Sequence, residues 1–526
     1  MQRYIFLLTI LLVSSLIKAQ TTFQVTFGGN SSQDLAQASQ QTTDGGFILV
    51  GHTTSFGAGG YDFHLIKTDG AGNLQWSKTY GGSGDDLAWD VQQTMDGGYI
   101  MVGSTNSFGV PFADVYVVKT DANGNLQWSG TYGDAFRFDE GRDIQQTTDG
   151  GYIIAGSTQP NSTRDVYVIK IDATGVLIWT RAIGGSQPDF GYAIAQNFTG
   201  EYYAYGITNS FGAGLQDLYL IKLNSAGTVL WTKTYGGAGN EFSGNMQVAI
   251  NGDIIMVGLE NSFGSATSDI YLTRTDGNGN VIWSKSYETN NIEVGYFVQQ
   301  MMNGNFIVVG QTQTTSSTSF VYLLNVSSSG TLQWEKTYGI ANPMQTSAGI
   351  SVRQNTDAGF IIAGQIRENN TSGLSDYYLI RTNSTGMSGC NEGNLSPTTI
   401  NCATVTATGG TNLTIGTSTT PTTIVNTPNP PFQILCQFKA DIDELYWADN
   451  FLVYPNPAKN VLYIRQENFT PSEFFFALRD LTGRKISETI VNGNQTIPIE
   501  NIMAGIYVYS ISLRENILAT GKLVIE

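Results

Sequence analysis

The sequence is poor in the residues that most often carry catalysis or hold a metal. Among 526 residues there are two histidines, His52 and His64, and three cysteines, Cys390, Cys402 and Cys436. Two histidines leave little room for imidazole acid–base chemistry or a histidine metal centre. No CxxC spacing marks a structural zinc site, and no nucleophile–base–orienter set stands out. Neither a catalytic set, a metal nor a cofactor is expected. The three cysteines fall in one short region, which admits one disulfide and one leftover thiol without choosing the pair. Charged residues make up only 13% of the chain, with 26 Lys and Arg against 43 Asp and Glu. A chain with net charge −17 repels phosphate backbones and anionic lipid, so nucleic acid is not an expected partner. Past the N-terminus no segment is long and apolar enough to span a bilayer as a helix.

Glycine is abundant, at 61 residues, and aromatic residues reach 11%, a composition that suits a β-rich secreted protein. The N-terminus reads MQRYIFLLTILLVSSLIKAQ: Arg3, an apolar stretch from Tyr4 to Ile17, then the small residue Ala19. This is the pattern of a signal peptide over residues 1–19, cleaved between Ala19 and Gln20. Cleavage leaves 24 of the 26 cations against 43 acids, a net charge near −19.

Internal repetition organises most of the rest. Trp76, Trp128, Trp179, Trp231, Trp283 and Trp334 are spaced 52, 51, 52, 52 and 51 residues apart. A DGG-like turn starts at Asp44, Asp96, Asp149, Thr199, Asn251, Asn303 and Asp357, so seven turns accompany six tryptophans. Within each unit four short runs rich in Val, Ile, Tyr and Thr are separated by Gly/Asp/Asn turns of hairpin length. In DVYVVK, Val115 and Val117 lie on one face and Tyr116 and Val118 on the other, so both faces are apolar and the sheet is expected between two others. Four antiparallel strands every 50 or so residues is the signature of a β-propeller. The missing seventh Trp strand has a counterpart at the start of the mature chain. TTFQVTFGG (21–29) matches LQWSKTYGG (74–82), with Phe23 at the Trp position and Phe27 at the position of Tyr80. The expected fold is therefore all-β: a seven-bladed propeller over residues 20–388, closed by its N-terminal strand. The units resemble the DGGYIIAGST…DVYVIKTDANGNLQW-type propeller repeats of secreted bacterial proteins, a resemblance that implies a fold and no single activity. DATGVLIW (172–179) is also similar to the Trp-docking repeat of quinoprotein dehydrogenases, in which Gly and Trp lock neighbouring blades. Only that structural role is expected to carry over.

The loop TDANGNLQW (120–128) alternates Asp121, Asn123 and Asn125 as calcium loops do. Its sister loops replace Asp121 by Asn224, Ser327 or Asn383 and keep only the glycine, which is what a hairpin needs. His64 falls in a column otherwise held by tyrosines and is expected to pack. His52, at a strand end, is expected to be exposed. The first strand of each unit should line the central channel and ends in a Gln column, which includes Gln41, Gln93 and Gln146. Beside it the repeat is broken by Trp89, Arg142, Tyr192, Tyr296 and Arg353. An amide ladder is the plain role for the glutamines. With the aromatic and Arg groups they form the candidate ligand site, suited to a glycan or protein. Two functions follow: a binding, adhesion or scaffold module, or a polysaccharide hydrolase or lyase using acids such as Asp90, Asp139 or Glu140.

Residues 389–450 hold the three cysteines and a Thr/Pro-rich stretch without charge from 393 to 438, expected as an extended linker in which TVTAT (404–408) and NLTIG (412–416) are open to small strands around a Cys402–Cys436 link. From Phe451 the texture changes, and several half-buried strands in about 75 residues suggest a small β-sandwich over 451–526. Tyr454-Pro455-Asn456-Pro457, Asp480-Leu481-Thr482-Gly483-Arg484, Ala504-Gly505-Ile506-Tyr507 and Gly521-Lys522-Leu523-Val524 follow in order. This set resembles the type A C-terminal sorting domain of the type IX secretion system. The motif residues are Pro455, Asn456, Pro457, Gly483, Arg484, Gly505, Tyr507 and Lys522. The resemblance implies a Gram-negative bacterium of the Bacteroidetes kind, the type IX machinery as partner, and a protein released or held at the outer-membrane surface.

Overall fold

The computed structural model describes residues 21–525 except 30–31, 109–111, 135, 264–267, 316–317, 340–345, 368–373, 408, 410, 414–416, 420–423, 427–431, 440–450, 455–458, 467–472, 481–483, 493–494, 500–501 and 514–515. The expected cleavage point at Ala19 and Gln20 and the motif residues Pro455, Asn456, Pro457 and Gly483 lie outside the described residues. Two compact units divide the chain, one over Thr21–Phe438 and one from Lys439 onward. Every regular element among the described residues is a strand.

The first unit is built from repeated antiparallel groups of four strands. In the second group Asp86–Gln93, Tyr99–Thr105, Asp114–Thr120 and Leu126–Gly133 pair in chain order. Both faces of a group are buried. Val115 and Val117 enter the core shared with the third group, while Tyr116 and Val118 enter the core shared with the first. Such cores recur between consecutive groups, and one joins Ile361, Ala363 and Leu379 near the end of the series to Phe47, Leu49 and Ile66 at its start. That last core also contains Phe23, Val25 and Phe27 of the N-terminal strand Thr21–Phe27, which pairs antiparallel with Asp376–Thr382.

Neighbouring groups are joined by a repeated contact. The loop glycine Gly124 has φ 73°, and a Cβ there would lie 2.9 Å from the Trp76 ring of the preceding group. The Tyr80 hydroxyl donates to the Gly124 carbonyl at 2.6 Å, and Tyr132 does the same to Gly175. Asp121 caps its own hairpin by accepting from the backbone N–H groups of Asn123 and Asn125, each at 2.8 Å. The calcium-like loop is thus a hairpin that receives the neighbouring Trp. Phe23 occupies the equivalent place over Gly72.

The Thr/Pro-rich stretch expected as a spacer is instead a run of short strands on the outer edges of the groups. Thr398–Asn401, Val405–Ala407, Thr411–Leu413, Thr417–Thr419 and Ile424–Asn426 pair with the fourth strands of groups five, four, three, two and one in turn. Glu392–Gly393 precedes them on group six, and Phe432–Lys439 ends the series beside the N-terminal strand. The stretch therefore runs as a belt against chain order. A disulfide joins Cys390 and Cys436 at its two ends, and Cys402 stays a free thiol.

The second unit has a three-stranded sheet (Phe451–Tyr454, Val461–Gln466, Gln495–Pro498) and a four-stranded one (Glu473–Asp480, Lys485–Asn492, Gly505–Leu513, Asn516–Ile525). Leu462, Ile464, Phe476, Leu478, Tyr507, Ile511 and Leu523 share its core. The Tyr507 hydroxyl donates to the Met503 carbonyl at 2.6 Å, Gly505 opens a strand, Lys522 pairs with Val508, and Arg484 is exposed.

Seams between groups hold buried acids. Burial, aided by the next group's acid, raises Asp62 to about 6, Asp114 to about 7 and Asp165 to about 6. Burial likewise raises Asp139 to about 6 and Glu241 to about 7. The folded state therefore holds protons that the unfolded chain has released. The stability these groups confer is complete below about pH 4 and lost as pH rises through 6–7. His52 and His64, lowered by burial to about 4 and about 3, oppose this below about 6.5 but are fewer. The melting temperature should accordingly be higher at pH 5.5 than at pH 8; a flat or inverted profile in thermal unfolding would count against the seam account. Gly124→Ala forces a side chain into the left-handed region against an indole and should cost about 1–3 kcal/mol in denaturant unfolding. Replacing both Cys390 and Cys436 by Ser should cost roughly 2–4 kcal/mol by the same measure.

Candidate functional site

The first strands of the groups share one irregularity that decides where their side chains go. Six carry a register shift at the same place, between Ala36 and Ala38, Ala88 and Asp90, Gly141 and Asp143, Gly191 and Ala193, Gly295 and Phe297, and Gly349 and Ser351, and the fifth carries one between Ser243 and Met246 that leaves Gly244 and Asn245 unpaired. A bulge leaves one residue unpaired and re-aims its side chain. The unpaired residues include Trp89, Arg142, Tyr192 and Tyr296, four of the repeat-breaking residues read from the sequence. All four line a cavity of about 280 Å³. The Arg142 guanidinium lies 3.8 Å from the centre of the Trp89 ring and 5.8 Å from that of Tyr192, and donates to Glu140 at 2.9 Å. Trp89 Nε1 and Arg142 Nε are buried and have no partner among the described residues. His52 is not exposed as expected. It is 4% accessible, its ring 5.5 Å from Trp89, and its Nδ1 lies 3.2 Å from the Ala88 carbonyl. It packs under the indole because the strand end on which it sits is covered by the next group.

A second cavity of about 220 Å³ shares Asp90, Asp143, Asn245 and Phe297 with the first. Gln40, Gln92, Gln145, Gln247, Gln299 and Arg353 also line it. Asp90 and Asp143 accept from the backbone N–H groups of Ile144 (3.2 Å) and Ile194 (2.7 Å). Burial, with the neighbouring Asp90 carboxylate, holds Asp143 well above the ordinary carboxylate range. Arg353 stacks on Phe297 at 4.0 Å, and burial lowers its pKa while Asp90 and Asp143 oppose that shift.

The glutamine column is engaged by the fold. Oε1 of Gln41, Gln93 and Gln146 each accepts a backbone N–H from the DGG turn of the preceding group, from Thr356, Thr43 and Met95, at 2.9 Å. Gln93 and Gln146 also donate to Gly97 and Gly150 of their own turns. These three form the amide ladder, while the residues one position earlier face the cavity. Asp143, Asn245 and the Gln40 column were missed because the bulge shifts the facing pattern by one residue. The departures of Asp90, Asp143, Asn245 and Phe297 from Ala38 and Ala193 in one aligned column were the available signal. Among the acids considered for hydrolysis, Asp90 reaches the cavity. Asp139 is fully buried in a seam, accepting from Asp134 N–H at 2.9 Å, and Glu140 is held by Arg142.

Elsewhere, Glu260, Asp269 and Glu288 bring oxygens within 4.8 Å of one another, a spacing open to a hard cation. Glu260 is already engaged there, accepting from Ser262 N–H and Phe263 N–H at 2.7 Å and from the Ser286 hydroxyl at 2.8 Å.

Together the site and fold define a repetitive all-β protein whose first strands line two adjoining, asymmetric cavities. Residues 452–526 match the family of the secretion system C-terminal sorting domain. The chain therefore carries a type IX sorting domain, and is exported to the cell surface or medium of a Bacteroidetes-type bacterium. A curated relative, the regulatory protein FlaEY of Caulobacter vibrioides, is 28% identical over 186 residues, 30% of this chain; the chain spans about a fifth of that protein, 19%. Two solved structures are similar in outline. One is a Bacteroides caccae protein of unknown function (12% identity, 61% of this chain and 96% of that one, TM-score 0.33). The other is PorZ of Porphyromonas gingivalis, a surface component of the type IX secretion system (9% identity, 92% and 73%, TM-score 0.34). No helix among the described residues is long and apolar enough to cross a membrane.

Proposed function

We propose that this chain is an exported binding module: a seven-bladed β-propeller closed by its N-terminal strand, whose channel mouth holds an extracellular glycan. A signal peptide over 1–19 starts its route, and a β-sandwich over 451–526 is the sorting domain that engages the type IX machinery. The observation that carries the binding reading is the gathering of Trp89, Arg142, Tyr192 and Tyr296 at equivalent bulges around one cavity. Frame residues obey the repeat, whereas these depart from it and converge. Aromatic rings and a guanidinium are the groups that stack on sugar rings and bond their hydroxyls. The hydrolase alternative rests on Asp90, with Asp143 beside it in the cavities, because Asp139 and Glu140 are committed to a seam and to Arg142.

The full-length exported protein, tested against a panel of polysaccharides for retention and for released oligosaccharides, should retain at least one polymer without cleaving it. Trp89→Ala and Arg142→Ala should each weaken retention about tenfold or more, as loss of a central anchor does. Steady release of products would favour the hydrolase instead. Deleting residues 451–526 should leave the protein in the periplasm on fractionation; its continued appearance outside the cell would contradict the export route.

A further inference from the structure

The lower cavity has a chemistry of its own, distinct from the aromatic mouth. In one column of the first strands stand Gln40, Gln92, Gln145, Ala195, Gln247, Gln299 and Arg353. Each of these glutamines uses Oε1 to accept the next group's backbone N–H: Gln40 from Gln93 at 2.8 Å, Gln92 from Gln146 at 2.6 Å, Gln145 from Gln196 at 2.6 Å, and Gln299 from Gln354 at 2.7 Å. Gln247 accepts likewise from Gln300. That bond fixes each amide and leaves its Nε2 without a partner among the described residues, in a column that lines the cavity. The single break to a cation is Arg353. Its one hydrogen bond among the described residues goes to the Val352 carbonyl at 3.3 Å, so most of its donor fork is unspent. Asp90 and Asp143 act on this half-buried guanidinium without forming an ion pair with it among the described residues, and a carboxylate is the group whose geometry matches its fork. Across the cavity Asp90, Asp143 and Asn245 supply acceptors of the kind that bond sugar hydroxyls. Asp90 and Asp143 crowd together and Asp143 is held toward its protonated form, so the pair does not confront an entering anion with two full charges. The volume, about 220 Å³, is below the roughly 300–1,000 Å³ of drug-sized sites and suits one ring of a polymer.

We infer that the lower cavity receives a carboxylate-bearing sugar ring, a uronate, with its carboxylate on Arg353 and the amide donors and its hydroxyls on the Asp90–Asp143–Asn245 side. This rests on the glycan reading above and names the class of glycan. An acidic peptide would satisfy Arg353 but leave the acceptor side unused. With a net charge of −17 the protein offers an anion no long-range attraction, so a preference for the acidic form reports contacts inside the channel.

The test is calorimetric titration of the full-length protein with tetragalacturonate, its fully methyl-esterified form and tetraglutamate. The acidic sugar is expected to bind about tenfold or more tightly than the ester, a ratio typical of one charge-assisted contact. Arg353→Gln installs the residue found at five other positions of the same column, so it should fold, which an unchanged melting temperature checks; it should remove the preference while keeping ester binding. Equal binding of acid and ester, or an unchanged preference in R353Q, overturns the uronate assignment and leaves the glycan reading standing. Binding of tetraglutamate alone overturns both, as does retention of neither sugar when a wider panel also fails. Trp89→Ala separates the two further, because it should weaken acid and ester alike and leave their ratio intact.

Discussion

The contact on which the first unit depends is the docking of an aromatic ring from one group onto the loop glycine of the next. Trp76 over Gly124, Trp128 over Gly175, Trp179 over Gly227 and Trp334 over Gly386 leave no room for a Cβ. The paired tyrosine hydroxyl adds a directional bond to the same loop, as Tyr235 does to Gly279 at 2.8 Å. Ring and hydroxyl together fix both the distance and the rotation between neighbouring groups, which apolar burial alone does not. The exceptions support this. Ile183 replaces the tyrosine in the third group, and Arg181 takes over by donating from Nε to the Gly227 carbonyl at 2.7 Å. Phe23, supplied from the other end of the chain, covers Gly72 where a seventh tryptophan would stand.

This geometry creates a liability that the belt removes. Each group presents the outer edge of its fourth strand, a row of free N–H and C=O groups able to recruit another chain. The belt pairs with these edges using two- to four-residue strands before its last, longer one, and closes on itself through Cys390 and Cys436. Its partner edges come from every group, so the belt ties the groups to one another. The disulfide suits an exported protein that folds where thiols oxidise. The Tyr219 hydroxyl bonding the Gly409 carbonyl at 2.6 Å shows side chains of the groups completing the belt's backbone bonds as well.

What was legible in the sequence is what the repeat preserves. The loop Gly survives every copy and the Trp six of seven, so strand order, apolar faces and the role of Phe23 and Phe27 could be read directly. The belt could not. Strands such as Val405–Ala407 and Thr417–Thr419 are too short to show alternation, and their partners lie hundreds of residues away. Only the even six- to eight-residue spacing of their starts hints at a chain stepping from group to group. The glutamines show the same limit at finer scale. Gln93 and Gln92 are adjacent and chemically identical, yet one is spent on a turn and the other faces the cavity. The bulge after Ala88 decides which, because one unpaired residue exchanges the faces of everything beyond it.

That exchange also explains how a repetitive frame acquires an asymmetric site without being weakened. Residues that dock, cap or ladder contact a neighbouring group, and a change there disturbs two groups at once. The bulged side chains carry no such repeated bond, so they differ from group to group, whereas the cavity-facing Asp90 and Gln92 still accept from the next group's Ile144 and Gln146 N–H. One bulge bears Gln37, another Trp89, another Arg142 and another Ile350. Trp89, Arg142 and Tyr192 fall on consecutive groups and Tyr296 on the sixth, while Gly244 and Ile350 add no polar or aromatic group to the lining. The aromatic and guanidinium groups are thereby gathered on one side of the first cavity, and Arg353, the single cation of the Gln40 column, lines the second. The docking contacts keep those side chains in place because every group is locked to the next by the same ring and glycine.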